Sequence, residues 1–236
     1  DDTGYSVTRI DVVEELVKLV YNENEKLVIR IVESDSQSKY VNEAFEKFGY
    51  KRLTNKMQEN GFDFELVDLS KSPLKLVEFD GLYFKNPELP DILVESHYYI
   101  SLAVAKTHYL ANITGTLKNQ FGVLPRKDQA FYHSNLVNVI VDLNQIIQPD
   151  LCIVDARYGV QGWNGPKTKP LNAYIFGKSP VAVDVTMARI MGFEPERIPH
   201  LVKSSENGLG TLNPKIKGHT IEEIRIKFKP RGKFID

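Results

Sequence analysis

Residues 105–122, AKTHYLANITGTLKNQFG, bring Lys106, His108, Thr114, Gly115, Lys118 and Asn119 into one short stretch. Cations, a hydroxyl, an amide and a glycine are the groups that hold a phosphate or a carboxylate. The ammonium supplies full charge, the hydroxyl and amide donate, and the glycine lets a ligand approach the backbone. If a helix starts here, Asn112 is its N-cap, and the free N–H groups of its first turn accept the same anion. Thr114 and Lys118 then lie one turn apart on one face, with Ile113, Leu117 and Phe121 packing on the other. Lys106 and His108 arrive from the preceding strand as acid–base candidates, because burial beside other cations lowers a lysine's pKa towards neutrality. The same spacing also fits a capped surface helix with solvated lysines.

Two carboxylates complete the candidate set. Asp155 ends the apolar strand LCIVDA, and the loop after it carries Gly159, Gly162, Gly165 and Pro166. Ligands of open α/β sheets sit beyond the carboxyl ends of strands, although such an Asp can equally cap its own loop. In SPVAVDVTMARIMG, Asp184 falls on one helix face with Met187, Ala188 and Met191. An inward carboxylate needs a donor or a cation, which Lys118, Lys106 or a metal can supply. One near a helix start can also complement the dipole. Among the histidines, His108 and His133 flank the lysine-rich turn, but no i, i+4 pair or HExxH pattern exists, so no metal ligand is assigned. Trp163 can stack on a ligand or plug its loop. Walker A, Rossmann-glycine and nucleophile-elbow motifs are absent.

The elements that must position these residues are read from periodicity. A helix begins at Asp11 and continues through Val13, Leu16, Val17 and Val20. A strand covers 26–34, a helix around Val41–Phe48 stops near Gly49, another short helix ends at Gly61, and a strand covers 64–69. The Asp80-Gly81 pair predicts a hairpin turn with both residues at positive φ. ILVES and HYYISLAVA read as buried strand. Ser134 is expected to cap a helix with the stripe Leu136, Ile140, Leu143 and Ile147. A strand follows at 151–156, Pro180 opens a helix reaching Gly192, and the tail reads as a strand with a basic end. The alternation predicts an α/β fold with a mixed, mainly parallel sheet and helices on both faces, in one domain over 1–236 that can divide into two lobes.

Composition narrows the function classes. Net charge is −1 and charged residues make up 26%, so no global field draws nucleic acid or an anionic membrane. No apolar run approaches the roughly 20 residues of a membrane span. With one cysteine, Cys152, the chain can form no disulfide of its own. That fits a reducing compartment, and the expectation is a cytoplasmic protein.

The order KTH, TGTLKNQFG, a histidine, PDLCIVDARYGVQGWNGP, SPVAVDVTMARIMG and NGLG resembles domain-of-unknown-function family 362. Positions matching its pattern are Lys106, His108, Thr114, Gly115, Lys118, Asn119, Gly122, His133, Asp155, Gly162, Gly165, Pro166, Asp184 and Gly192. Family members are often joined to ferredoxin-like iron–sulphur modules, so the resemblance implies an iron–sulphur partner. This chain's single Cys cannot hold a cluster needing about four thiolates. The family usually starts with a basic-Pro-Asn strand, and this chain begins just after its place.

These readings give three functional expectations. The first is an enzyme acting on a small anionic metabolite or phosphate-bearing ligand. Thr114, Gly115, Lys118 and Asn119 bind the anion, Lys106, His108 and Asp155 serve the chemistry, and His133, Gly162, Gly165 and Asp184 complete the site. The second is a non-catalytic cofactor-binding or electron-transfer accessory domain working with an iron–sulphur protein. The third is a metalloenzyme using His108, His133 and the aspartates.

Overall fold

The computed structural model describes residues 4–24, 26–37, 39–96, 98–162 and 167–229. The first part of the chain runs α1 (Ile10–Glu23), β1 (Val28–Glu33), α2 (Val41–Lys47), α3 (Tyr50–Glu59) and β2 (Asp63–Asp68). β1 and β2 pair in parallel, as the alternation predicts. Val13 and Val17 of α1, Val41 and Phe45 of α2, Leu53 and Met57 of α3, and Phe64 of β2 bury their apolar faces together. Gly49, at φ 81°, separates α2 from α3, where a side chain would be strained.

β3 (Leu74–Leu76) and β4 (Glu88–Pro90) form a hairpin, but its second strand is ELP and not the LYF that an Asp80-Gly81 turn predicts. Its turn is not the expected one, since neither Asp80 nor Gly81 has positive φ. A Cβ at position 81 would lie 2.5 Å from Asp142 Oδ2, so Gly81 provides clearance for a buried carboxylate. α4 (Asp91–Val94) follows, so Ile92, Leu93 and Val94 of ILVES are helical and not strand.

The remaining elements are β5 (Ile100–His108), β6 (Asn112–Thr114), α5 (Thr116–Asn119), α6 (Leu136–Ile146), β7 (Leu151–Val160), β8 (Thr168–Gly177), α7 (Pro180–Ile190), α8 (Pro199–Glu206) and α9 (Ile221–Ile224). They build a four-stranded sheet in the order β6-β5-β7-β8. Only β5 and β7 run parallel within it, whereas β5–β6 and β7–β8 are antiparallel. The sheets are small and mixed, and the expected mainly parallel arrangement gives way because short connections fold β6 and β8 back on their neighbours.

Side chains alternate across the sheet. Ala103 and Ala105 of β5 and Cys152, Val154 and Ala156 of β7 face the larger apolar cluster, shared with α5 to α8. Leu102 packs on the α1–α3 cluster from the other face. Ser179 caps α7 through Ala182 N at 3.2 Å, with Pro180 at its first position. The helix ends before Gly192 at φ 82°. Ser134 lies in a 3-10 turn, and α6 starts after Asn135 without a side-chain cap. The tail forms α9, closed by a Thr220–Glu223 capping box, instead of the expected strand.

Candidate functional site

The start of α5 does hold an anion, and that anion belongs to the protein. Asp184 of α7 accepts from Thr116 N at 2.7 Å and Thr116 Oγ1 at 2.8 Å through Oδ1, and from Leu117 N at 2.9 Å through Oδ2. The carboxylate is fully buried, and burial pushes it up to about 6 against the pull of these three donors. Gly115 clears the space, because a Cβ there would lie 2.3 Å from Asp184 Oδ1. Asn112 is not an N-cap. It sits in β6 at φ 63°, paired with His108. Thr114 is likewise in the strand, so it does not share a helix face with Lys118. Asn119 donates to Ser101 Oγ at 3.3 Å. Gly115 and Asn119 thus serve internal contacts, and the first N–H groups of α5 are already taken by Asp184.

Asp155 is also engaged. It is 2% exposed and receives Arg157 Nε at 3.1 Å, Arg157 Nη2 at 2.7 Å and the Arg157 backbone N at 3.1 Å. The same guanidinium donates to Asp11 of α1 at 2.8 and 3.0 Å. Arg157 hydrogen bonds to both carboxylates, which raises its pKa further and lowers Asp11 to about 2. Sequence reasoning did not single out Arg157. The signal was in DAR, since residues two apart on a strand point to one face.

What the fold brings together is a group of cations. Lys106 and Thr114 are direct partners in the β5–β6 ladder, so their side chains leave the same face, and His108 is the next residue of β5 on that face. Lys106 donates to Ser6 O at 3.0 Å. Burial brings Lys106 down to about 8, with Lys39 adding to the effect and Glu33 opposing it. Burial and then Lys106 bring Lys118 to about 8 as well. The Lys118 ammonium stands 4.6 Å from the Phe121 ring centroid, and His133 stacks on the same ring at 5.9 Å.

His108 accepts from Leu110 N and Ala111 N through Nδ1 at 3.1 and 3.2 Å. Its ring proton therefore sits on Nε2 as a free donor. Burial, with Lys118, Lys106, His133 and His200 behind it, lowers His108 to about 3, so it stays neutral. Burial lowers His133 too, helped by Lys118. His200, which follows Pro199 at the start of α8, is 1% exposed, and its Nε2 has no hydrogen-bond partner. Burial, then Lys118, lowers it to about 3. Thr114 Oγ1 is buried and unpartnered in the same way. No spacing in the sequence points to His200, since it reaches this neighbourhood only through the packing of α8.

Gly162 N donates to Thr107 Oγ1 at 2.7 Å with Gly162 at φ 107°, tying the loop after β7 to the end of β5. Trp163, Gly165 and Pro166 lie outside the described residues, as does His97. Cys152 is fully buried in the larger cluster, and burial pushes its thiol up to about 12. No group of three or more His, Cys, Asp or Glu side chains among the described residues is arranged to hold a metal. Asp155 and Asp184, needed for that reading, are turned to Arg157 and to the start of α5. Surface depressions of about 370 and 400 Å³ lie elsewhere, against Val137 and Arg197 and against Thr8 and Phe48.

Fold and site together define a mixed α/β protein with a buried lysine–histidine group at one end of its four-stranded sheet. The chain belongs to the family described as "Domain of unknown function (DUF362)", whose pattern it matches over residues 1–189. It is similar to the "Thylakoid-associated protein sll1697" of Synechocystis sp., with 27% identity over 169 residues that cover 64% of this chain and 51% of that one. The chain thus spans about half the length of this curated relative. No solved structure matches it. Among the described residues no helix is long and apolar enough to cross a membrane.

Proposed function

We propose that this chain binds a small anionic metabolite or phosphate-bearing ligand at Lys106 and Lys118, and acts on it by proton transfer. The observation that carries this reading is two half-buried lysines close enough to act on one another, neither of which has a carboxylate within ion-pair distance among the described residues. Buried charges are ordinarily paired, so an uncompensated pair supports an external counter-ion. Lysines near 8 also suit proton transfer at neutral pH, where a base must be partly free. Thr114 Oγ1 and His108 Nε2 supply neutral donors beside them. Asp155, Asp184, Gly115 and Asn119 act here as structural supports of the site. The reading as an electron-transfer accessory domain rests on the family resemblance alone.

Calorimetric titration with inorganic phosphate tests the reading. Lys106→Met and Lys118→Met should each weaken binding roughly tenfold to a hundredfold, the worth of one charge-assisted hydrogen bond. Lys56→Met, which breaks a surface pair with Glu14, should leave binding unchanged. Unaltered affinity in both site variants, with native circular dichroism, would discard the assignment.

A further inference from the structure

The balance of charge around the two lysines, together with the three unengaged neutral groups beside them, sets what kind of anion fits. The groups facing the site come from five places in the fold. Glu33 ends β1 and Lys39 follows it, Lys106 and His108 lie on β5, Lys118 on α5, His133 in the 3-10 turn before α6, and His200 on α8. Glu33 is the acid that acts on Lys106, but it already accepts from Ser34 N at 2.9 Å and stands 3.7 Å from Lys39. Glu33 and Lys39 therefore cancel. Asp128 acts on His133 and not on the lysines. The neutral histidines add no charge. Two positive charges are left over when both lysines are protonated.

The uncharged groups point the same way. Thr114 Oγ1 and His200 Nε2 are buried without hydrogen-bond partners, and the two backbone donors on His108 Nδ1 leave its ring proton on Nε2. Such atoms cost free energy when left unmet. Counting the ammoniums, Lys106, His108, Thr114 and Lys118 offer donors from β5, β6 and α5, with two full charges among them. A flat carboxylate offers two oxygens, whereas a phosphate monoester offers three terminal oxygens and two charges.

Resting on the anion-site reading above, we propose that the ligand is a compact tetrahedral dianion, a phosphate monoester group, and that its binding draws protons from solvent onto Lys106 and Lys118. The second charge is what lets both ammoniums coexist. Without it Lys106 adds to the burial that holds Lys118 down.

Methyl phosphate and methyl sulfate separate charge from shape. Both are tetrahedral with three terminal oxygens, but at pH 8.5 the first carries two charges and the second one. Titration of the intact protein with each, in buffers of different ionisation enthalpy, reads affinity and proton uptake together. The expected result is at least about tenfold tighter binding of methyl phosphate, with roughly one proton taken up per ligand bound. Methyl phosphate is fully ionised at this pH, so the proton can land only on the protein. Lys106→Met should bring the two affinities to within about threefold and remove most of the uptake. Equal affinities in the native protein, or a preference without proton uptake, overturn the dianion assignment and leave the anion site standing. Binding of neither probe overturns both.

Discussion

Lys118 is where binding and stability pull in opposite directions. On the proposed reading its charge serves an anionic ligand, whereas in the ligand-free protein burial, with Lys106 beside it, penalises that charge. Replacing it with methionine keeps the apolar stem over Phe121 and removes the charge. Lys118→Met should therefore stabilise the ligand-free protein at pH 7 by about 1–2 kcal/mol, allowing for the solvent that a half-buried stem still meets. The sign of the pH dependence follows. The folded lysine titrates near 8 and the unfolded one near 10.5, so across that interval the unfolded chain binds more protons and stability rises with pH. In Lys118→Met its share of that rise should be missing, while Lys106 keeps its own share and the buried Cys152 thiol, pushed up to about 12, opposes it. Urea denaturation at pH 7 and pH 10 measures both. A variant less stable at pH 7, with an unchanged rise, would mean that the lysine is held by a favourable ion pair. From the sequence, Lys118 reads as an exposed helical lysine whose replacement changes little. The residue type was legible there, but its burial was not, because the groups that enclose it come from α8 and the turn before α6.

The connection between α5 and α7 shows the same limit for whole elements. Regular periods exposed α1, α2, α6, α7, β1 and β7, each long or apolar enough to repeat its pattern. Four-residue helices such as α4 and α5 cannot display a period, and β8 was hidden because Pro170 and Asn172, the latter at φ 50°, look like turn residues. In the sequence Gly81 and Gly115 read as turn and ligand glycines, yet each makes room for a buried aspartate far away in the chain. Asp142 of α6 accepts from Leu82 N, Tyr83 N and Phe84 N at 2.7–2.9 Å, as Asp184 accepts at the start of α5. Gly115→Ala should force Asp184 out of its seat and cost about 2–4 kcal/mol, since neither backbone nor buried carboxylate can yield cheaply. Asp184→Asn should cost about 1–3 kcal/mol by turning an amide N–H₂ towards backbone donors. It should also flatten the pH profile. The folded carboxyl at about 6 lies above its unfolded value, so this group's contribution is greatest below about pH 4 and is lost as pH rises to 6. A Gly115→Ala protein as stable as the native one would refute this account of the α5–α7 joint.

Across the molecule, one guanidinium connects the two apolar clusters. α1 carries Val13 and Val17 of the smaller cluster, and β7 carries Cys152, Val154 and Ala156 of the larger. Arg157 of β7 bridges Asp155 beneath it and Asp11 on α1, alongside the Thr8–Leu102 and Lys106–Ser6 contacts at the same seam. The cation group lies on that seam too, since Glu33 and Lys39 belong to the first part of the chain and Lys106 and Lys118 to the second. The two ends of the bridge differ in burial. The Asp155 side chain is 3% exposed and that of Asp11 is 51%. Removing a partner from a buried charge is costly, whereas an exposed pair contributes little. Arg157→Met should therefore destabilise the protein by about 2–4 kcal/mol, and Asp11→Asn by less than about 1 kcal/mol. Because most of the first loss is the orphaned Asp155 charge, adding Asp155→Asn to Arg157→Met should recover a good part of it. Asp11 is held near 2, below its unfolded value, so its share is present above about pH 4 and disappears as pH falls towards 2. Equilibrium urea unfolding of the three variants at pH 7 supplies the comparison. If Asp155→Asn deepens the loss instead of offsetting it, Asp155 has favourable partners besides Arg157, and the single-bridge account of the seam is wrong.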